Sequence, residues 1–350
     1  MKILILTRNL DWEKNKNNGN NNRQSASSPS QPSNVQINHT YGRENISDAL
    51  AIKKIFAQPN HEVRIIPITE DAYEQIKTDK PDVIFNLCDD GFRGDYTLEP
   101  HVAIMFDILN IPYTGNNYFT IALCQNKARA KDILTFNNVL TPKFQVFTSA
   151  ERKLNPELRF PMIVKPIRED GSVGIRERSV VDNEEQLKEE IDHIINLHKQ
   201  EALVEEFIDG REFNVSLIGN RRPIVLPVAE IDFSEMPDHL PRIVSYRAKW
   251  VRQSIAYKKT PVICPANIDE KMKKLIEETA RKCYKIFGCT GYIRIDFRYD
   301  NKEEKLYALE VNPNPDISED AGLVRAAAAA GINYQDLLLK IIGFAMERKI

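Results

Sequence analysis

The chain reads Gly291-Tyr292-Ile293-Arg294-Ile295-Asp296-Phe297 and then, after the polar turn Asp300–Glu304, Leu309-Glu310-Val311-Asn312-Pro313. Side chains alternate between the two faces of a β-strand. Arg294 and Asp296 therefore share one face of the first strand, and Glu310 and Asn312 share one face of the second. The opposite faces are apolar and are predicted to point into a core: Ile293, Ile295, Phe297, Leu309 and Val311. If the two strands pair through the turn, the four polar groups gather on one surface.

This polar surface has the composition that magnesium-assisted phosphate chemistry needs. Carboxylate and amide oxygens are hard ligands for Mg²⁺, whose other positions go to water and phosphate oxygens. Arg294 adds a cation that can stabilise charge developing in a reaction. The bare pattern is more often an outward-facing hairpin with a solvated salt bridge, so it needs support from elsewhere in the chain.

A candidate phosphate-binding segment lies upstream. The apolar strand Met162–Lys165 ends on a lysine, and the loop Arg168–Gly174 with its small residues follows at once. Backbone N–H groups in such a loop can approach phosphate oxygens. The loop matches neither the Walker A pattern nor the G-x-G-x-x-G pattern, and many hairpins contain a similar turn.

Two further segments could serve a nucleotide. Lys127 opens a helix that carries several cations, a pattern that is usually a solvated helix face. The segment Leu203–Phe213 joins two strands through a turn, where backbone groups could meet an adenine edge and a carboxylate could accept from ribose hydroxyls. Each segment alone is more often structural, and it is their order along one chain that favours a nucleotide site.

The N-terminal part has a different pattern. Short apolar strands at Lys2–Thr7, Val63–Ile68 and Val83–Leu87 alternate with helical stretches, which predicts a small parallel sheet. Asn15–Thr40 is rich in Asn, Ser, Gln and Pro, which predicts a disordered insertion, either a binding lid or a tolerated addition. We predict an α/β (α+β) fold with three parts: an N-terminal α/β domain at 1–123, a central subdomain at 124–208 and a C-terminal metal-binding subdomain at 209–350.

Composition excludes several other functions. The 350 residues include 42% hydrophobic and 28% charged residues and carry a formal net charge of −2, whereas a general nucleic-acid binder needs a basic surface. No apolar run approaches the roughly 20 residues that span a bilayer. The five cysteines are scattered without a C-x-x-C pair, which predicts reduced core thiols and a cytoplasmic location. We therefore expect neither nucleic acid nor membrane as a partner.

The order of these segments resembles the ATP-grasp superfamily, and most closely the D-alanine–D-alanine ligases. The resemblance runs from about Pro81 to the C-terminus, and it includes the stretches Gly210–Phe213, Tyr246–Lys249 and Glu310–Pro315 and the helix with Lys127 and Lys131. It implies an ATP-grasp fold, in which two α+β subdomains clamp ATP beside an N-terminal parallel domain. It also implies a ligase that phosphorylates a carboxylate with ATP and joins it to an amine. Enclosure would protect the acyl phosphate from water.

The resemblance implies roles for individual residues. Lys127 and Lys165 would contact the ATP phosphates, with Ser172 closing over them and Lys249 as a further lysine on the phosphate side. Glu205, Glu206 and Phe207 would frame the adenine, and Glu212 would bind the ribose. Asp296, Glu310 and Asn312 would hold two Mg²⁺ ions, with Glu310 bridging. Arg294 would stabilise the acyl phosphate and the tetrahedral intermediate, and Ser172 and Lys249 would assist it in catalysis.

The chain departs from the family pattern where substrates would sit. Asp316 replaces a glycine, and Ala321-Gly322 replaces the serine–leucine pair that reads the acceptor carboxylate. Cys88 takes the place of a histidine, and Glu44 is the candidate for the N-terminal glutamate. The resemblance implies that the substrates would be small carboxylates and amines, amino acids or peptides, with D-alanine as one candidate. A ligase for a different amino-acid or peptide substrate and a non-catalytic nucleotide-binding protein are the alternatives, and the resemblance allows a homodimer.

Overall fold

The computed structural model describes residues 1–8 and 40–348, without the side chains of residues 40–45. The predicted insertion Asn15–Thr40, apart from its last residue, and the side chain of Glu44 lie outside this description. The chain forms two compact units, one of Met1–Thr114 with Leu338–Ile350 and one of Gly115–Leu337.

The first unit contains the predicted parallel sheet. Its strands are β1 (Lys2–Thr7), β2 (Glu62–Pro67) and β3 (Val83–Asn86), in the order β2-β1-β3 with parallel pairing. The helices of the unit's N-terminal part are α1 (Thr40–Phe56), α2 (Ala72–Asp79) and α3 (Glu99–Leu109). Residues 3–6 of β1 are at most 1% exposed, as expected for a central strand of a parallel sheet that is covered on both faces.

The second unit begins with two helices and a four-stranded sheet. The helices are α4 (Tyr118–Gln125) and α5 (Lys127–Phe136). The antiparallel sheet has the order β4-β7-β5-β6 and consists of β4 (Phe144–Phe147), β5 (Met162–Pro166), β6 (Val180–Val181) and β7 (Ala202–Glu206), with helix α6 (Glu184–His193) between β6 and β7. The apolar face of α6 packs with this sheet in one hydrophobic cluster.

A six-stranded antiparallel sheet forms the rest of the second unit. Its order is β11-β10-β8-β12-β13, with β9 paired to β8. Its strands are β8 (Arg211–Ile218), β9 (Ile224–Val225), β10 (Ala229–Ile231), β11 (Val262–Ile263), β12 (Tyr292–Asp300) and β13 (Lys305–Asn312). The helices of this part are α7 (Tyr246–Trp250), α8 (Ile255–Lys258), α9 (Glu270–Ile286) and α10 (Gly322–Ala329). The last helix, α11 (Tyr334–Glu347), begins in the second unit and continues into the segment Leu338–Ile350 of the first. Along the chain, all strands of the smaller sheet precede residue 208 and all strands of the larger sheet follow it. The predicted three-part division of the chain stays a prediction.

A β-bulge interrupts the pairing of β12 with β13. Asp296 pairs with Glu310 but Phe297 pairs with Ala308, so Leu309 is an extra residue on β13. The core face of β13 therefore changes from even to odd positions, with Leu306, Ala308 and Val311 buried. The prediction that Leu309 points into the core is wrong, because simple alternation does not hold across a bulge.

Candidate active site

Three neighbouring strands of the larger sheet present their polar side chains on one face. Arg294 lies opposite Asn312, and Asp296 lies opposite Glu310. On the other side of β12, Asp296 pairs with Asn214 of β8. The reverse face of these strands packs with α9 in the core of the sheet. The four groups predicted to gather on one surface do so, and with Asp296 only 8% exposed they are not a solvated hairpin.

Asp296 accepts hydrogen bonds from three side chains of this face. Its carboxylate accepts from Arg294 Nε at 2.8 Å and Nη2 at 3.0 Å, from Asn214 Nδ2 at 2.7 Å and from Asn312 Nδ2 at 3.1 Å. Burial works to raise the pKa of Asp296, but the adjacent Arg294 guanidinium outweighs it and lowers the pKa. Asp296 is therefore held as a carboxylate.

Glu310 is in the opposite electrostatic situation. It is half-buried, and its cation at salt-bridge distance is Lys127, whose Nζ is 3.9 Å from Oε2. Desolvation raises the pKa of Glu310, Lys127 opposes the rise, and the neighbouring carboxylates of Asp296 and Asp170 add to it. Negative charge at this position is thus unfavourable until a further cation arrives.

The donor set fits a magnesium ion. No group of three or more His, Cys, Asp or Glu side chains that could hold a metal occurs in residues 1–8 and 46–348. Mg²⁺ in phosphate-transfer sites needs only one or two carboxylates, because substrate phosphates and water supply its other ligands. Asp296 and Glu310 supply two carboxylates and Asn312 an amide oxygen, although its amide nitrogen is the atom that contacts Asp296 here.

A buried charge cluster connects α5 with the smaller sheet. Glu205 forms salt bridges with Lys131, at 2.8 Å, and with Lys165. Glu205 and Lys131 are each 1% exposed. Burial works to raise the pKa of Glu205, but Lys131 and Lys165 lower it to about 2. Lys131 also donates to Thr141 Oγ1 and to the carbonyl of Pro142, which occupies its three donors and makes it a support for Glu205 rather than a phosphate ligand.

The segment predicted to frame adenine leads from β7 to β8. The backbone N–H groups of Glu206 and Phe207 donate to the carbonyls of Lys143 and Pro161, so these two N–H groups are used within the protein. Glu206 Oε1 accepts from the backbone N–H of Arg159 at 3.1 Å.

The predicted phosphate loop is tied to the rest of the unit by three contacts. Lys127 Nζ donates to the carbonyl of Glu169. Trp250 Nε1 donates to the carbonyl of Gly171 at 2.8 Å, and Ser172 Oγ donates to the carbonyl of Val244 at 2.8 Å. Gly171 and Ser172 both adopt positive φ, 62° and 61°, a conformation that glycine tolerates best.

Lys249 and Asp170 are oppositely charged groups of this loop region that interact electrostatically. Lys249 Nζ lies 5.3 Å from the centre of the Trp250 ring, and no carboxylate of the described residues is within salt-bridge distance of it. Asp170 Oδ1 accepts from the Gly171 N–H at 2.7 Å. Desolvation by the surrounding protein works to raise the pKa of Asp170, but Lys249, Lys127 and Arg294 outweigh it and lower the pKa. A carboxylate thus lies among the cations predicted to bind phosphate.

Several residues of this region had no predicted role. Asp170, Asn214 and Trp250 were not singled out, and Lys131 entered only through the cationic helix that resembles the ligase family. Arg298, with the same alternation on β12 as Arg294 and Asp296, was also missed, although this spacing was a signal for it. Its guanidinium binds Glu212, with Oε2 at 2.9 Å from Nε and 2.7 Å from Nη2.

The positions that depart from the family pattern carry few hydrogen-bonding groups toward a substrate. Asp316 is exposed, and its carboxylate accepts from the backbone and the hydroxyl of Ser318, both at 2.9 Å. Ala321 precedes α10 without a side-chain cap, and Gly322 is the first residue of that helix. In the first unit, Cys88 is fully buried, and burial raises its pKa well above the usual range. All five cysteines are free thiols, as predicted.

Comparisons with known proteins identify the relatives of this chain. The family profile described as D-ala D-ala ligase C-terminus matches residues 133–343. A D-alanine–D-alanine ligase of Carboxydothermus hydrogenoformans is 30% identical over 305 residues, which are 85% of this chain and 92% of the relative. An uncharacterised protein of Sinorhizobium fredii is 33% identical over 266 residues, 76% of this chain and 75% of the relative.

A solved structure has the same fold. The crystal structure of the D-alanine–D-alanine ligase from Bacillus anthracis complexed with ATP matches with a TM-score of 0.71 and 20% sequence identity, and the match covers 99% of this chain and 97% of that one. None of the helices in residues 1–8 and 40–348 has the length and hydrophobicity that crossing a bilayer takes.

Fold and sequence together define the class. The protein is an ATP-dependent ligase of the ATP-grasp class that forms carbon–nitrogen bonds. Within that class, the chain belongs to the D-alanine–D-alanine ligase family.

Proposed function

We propose that the ligase uses ATP and Mg²⁺ to convert a carboxylate into an acyl phosphate, which an amine then attacks. A carboxylate oxygen of the first substrate attacks the γ-phosphorus, and ADP leaves. The amine next attacks the acyl carbon, loses a proton and expels inorganic phosphate, so that one C–N bond forms. The observation that carries the proposal is the polar face of β12 and β13, where Arg294, Asp296 and Glu310 lie together with Lys127 close to Glu310.

The charges of this face suit the proposed steps. Arg294 is fixed by its two hydrogen bonds to Asp296, so its guanidinium is oriented before the reaction and can stabilise negative charge on the acyl phosphate and the tetrahedral intermediate. Asp296, Glu310 and Asn312 would hold the metal, which supplies neutralisation of the phosphate charge. The resemblance implies that these residues would hold two ions and that Glu310 would serve both.

The nucleotide would extend from this face toward the smaller sheet. Lys127, Lys165 and Lys249 would bind phosphate oxygens, with Ser172 in the loop over them. Lys165 is held by Glu205 through one contact, which leaves donors on a three-donor ammonium for phosphate. We propose that Glu205, Glu206 and Phe207 border the adenine and that Glu212 accepts from the ribose, as the resemblance implies.

The substrates are proposed to be amino acids or a peptide. The relatives in the comparisons include D-alanine–D-alanine ligases, so D-alanine is the first candidate for both positions. Ala321 and Gly322 do not offer the side chains that would read an acceptor carboxylate, and Asp316 stands where the family has a glycine whose backbone N–H faces the oxyanion. A different amino-acid or peptide acceptor is therefore the second candidate. A homodimer and a cytoplasmic location stay predictions.

The test is ADP release with MgATP across a panel of D- and L-amino acids and dipeptides, with the product masses recorded. A Glu310→Gln variant is the matched blank, because it changes one carboxylate to an amide of the same shape. Release that needs both a carboxylate and an amine, and that the blank lacks, supports the proposal. Release with no substrate requirement, or equal release by the blank, contradicts it.

A further inference from the structure

Arg298 is the most fully engaged side chain of the polar face. It lies on β12 opposite Glu212 of β8 and is only 3% exposed. A guanidinium has five N–H donors in a rigid plane. In this structure all five are used. Nε and Nη2 donate to Glu212 Oε2, and Nη2 also donates to the carbonyl of Arg242. Nη1 donates to the carbonyls of Ile208 and Gly210.

These contacts fix the turn between the two sheets of the second unit. Ile208 and Gly210 lie in the connection from β7 to β8, which is the segment proposed to border the nucleotide. Nη1 is 3.1 Å from the carbonyl of Ile208 and 3.3 Å from that of Gly210. The guanidinium also lies 5.4 Å from the centre of the Phe207 ring and 5.2 Å from that of Phe233, within the range of cation–π attraction. One side chain therefore ties this turn to β12, an inner strand of the sheet.

The same side chain orients the carboxylate of Glu212. Arg298 Nε and Nη2 both donate to Glu212 Oε2, at 2.9 and 2.7 Å. No group of the described residues donates to Glu212 Oε1. Glu212 is 7% exposed, and a buried carboxylate with one oxygen occupied has one orientation in which its other oxygen can accept from a ligand. Without Arg298 the carboxylate would lose both its orientation and the cation that stabilises its charge.

We infer that Arg298 is a positioning residue that sets the selectivity of this ligase for the ribose of its nucleotide. It holds Glu212 so that Oε1 accepts from a ribose hydroxyl, and it holds the 207–210 turn in the conformation that receives the nucleoside. The inference rests on the proposed nucleotide site. It adds a residue that contacts no reacting group and acts through Glu212.

The experiment compares ATP with 2′-deoxy-ATP and 3′-deoxy-ATP. Binding of each nucleotide with Mg²⁺ is measured by calorimetry, and kcat and KM are measured with a substrate pair that supports turnover. For the wild-type chain we expect a preference for ATP over at least one deoxy analogue of about tenfold, the effect of losing one hydrogen bond to a charged group. An Arg298→Met variant should reduce this preference to less than about twofold, and kcat at saturating ATP should change much less than KM.

Two further variants separate positioning from stability. Arg298→Lys keeps a positive charge and a similar volume but cannot reproduce the planar fork, so it should lose the ribose preference as well, even if Arg298→Met does not fold. Arg176→Met is the matched control: it removes a guanidinium of the same unit that pairs with the buried carboxylate of Glu190, with Nε at 3.3 Å and Nη2 at 2.9 Å, and it lies outside the 203–213 segment. The control should keep the wild-type preference.

Different failures have different meanings. A folded Arg298→Lys or Arg298→Met protein that keeps the full preference for ATP would overturn the inference, and so would a wild-type chain that binds ATP and both analogues equally. A wild-type chain that binds no nucleotide would instead overturn the proposed function on which the inference rests.

Discussion

The two ends of the proposed nucleotide site differ in how their charges are balanced. At the base and ribose end, Glu205 is shared by two lysines and Glu212 is bound by Arg298, so that buried charges are paired within the protein. At the phosphate end, Glu310 has a raised pKa and Lys249 has no carboxylate partner in the described residues. The first end is organised before ligand arrives, whereas the second has charges that a metal and phosphates would complete.

Removal of Arg294 should have the largest effect, because this guanidinium is oriented by Asp296 and is the group proposed to stabilise the acyl phosphate and the tetrahedral intermediate. We expect an Arg294→Met variant to lose about 10²- to 10³-fold in kcat, the range for one stabilising donor in an active site. ADP release measured with the best substrate pair checks this. An Arg294→Lys control should recover part of the activity, and an Arg294→Met protein with unchanged kcat would mean that the reaction occurs elsewhere.

Loss of Glu205 should mainly affect stability, because the base end is a structural charge cluster. A Glu205→Gln variant leaves Lys131 buried with its charge unpaired, which should lower the free energy of unfolding by about 3–5 kcal/mol at neutral pH. Urea unfolding measures it. A difference below about 1 kcal/mol, the range of exposed pairs, would show that the cluster is not a stabilising element.

The stabilisation lost in the Glu205→Gln variant should also depend on pH. The pKa of Glu205 is lowered in the folded chain from 4.5 to about 2, so its contribution to stability is fully present above pH 4.5 and is lost as the pH falls toward 2. The stability difference between wild type and Glu205→Gln should therefore narrow over this window. Parallel unfolding curves at several pH values test this, and a difference that stays constant or widens on acidification would contradict it.

Trp250 offers a smaller test, on the loop proposed to cover the phosphates. A Trp250→Phe variant keeps an aromatic ring beside Lys249 but removes the donor to the carbonyl of Gly171. We expect KM for ATP to rise about threefold to tenfold, the value of one hydrogen bond, with little change in kcat. An unchanged KM would indicate that the contacts of Lys127 and Ser172 hold the loop without Trp250.

Substitution of Asp170 is expected to have the smallest effect, and it should strengthen ATP binding instead of weakening it. An Asp170→Asn variant removes a negative charge that lies among the cations proposed for phosphate. ATP should then bind roughly twofold to fivefold more tightly, in the range of exposed charge interactions, and the gain should shrink with added salt. Calorimetry at two ionic strengths checks this, and weaker binding would instead assign Asp170 a supporting role.

Local sequence rules predicted much of the fold and site. Alternation placed Arg294 with Asp296 and Glu310 with Asn312, because each pair lies within one strand on the same side of the bulge. The rules could not find partners that are distant in the chain. Arg298 meets Glu212 from 86 positions away, and Lys131 of α5 pairs in the interior with Glu205 of β7. Such pairings follow from strand order, which local patterns do not encode.

The extra residue at Leu309 has a consequence for how β13 can be altered. The strand has two phases: even positions are inward before Leu309, and odd positions are inward after it. Without Leu309, side chains would alternate regularly along the whole of β13. Ala308 and Val311 would still point inward, and Glu310 would still lie opposite Asp296. Such a shortened strand would keep the orientation of every polar group and lose only the local bend. The polar face of this ligase is therefore set by which residues pair, and its curvature is a separate property that a single deletion could remove.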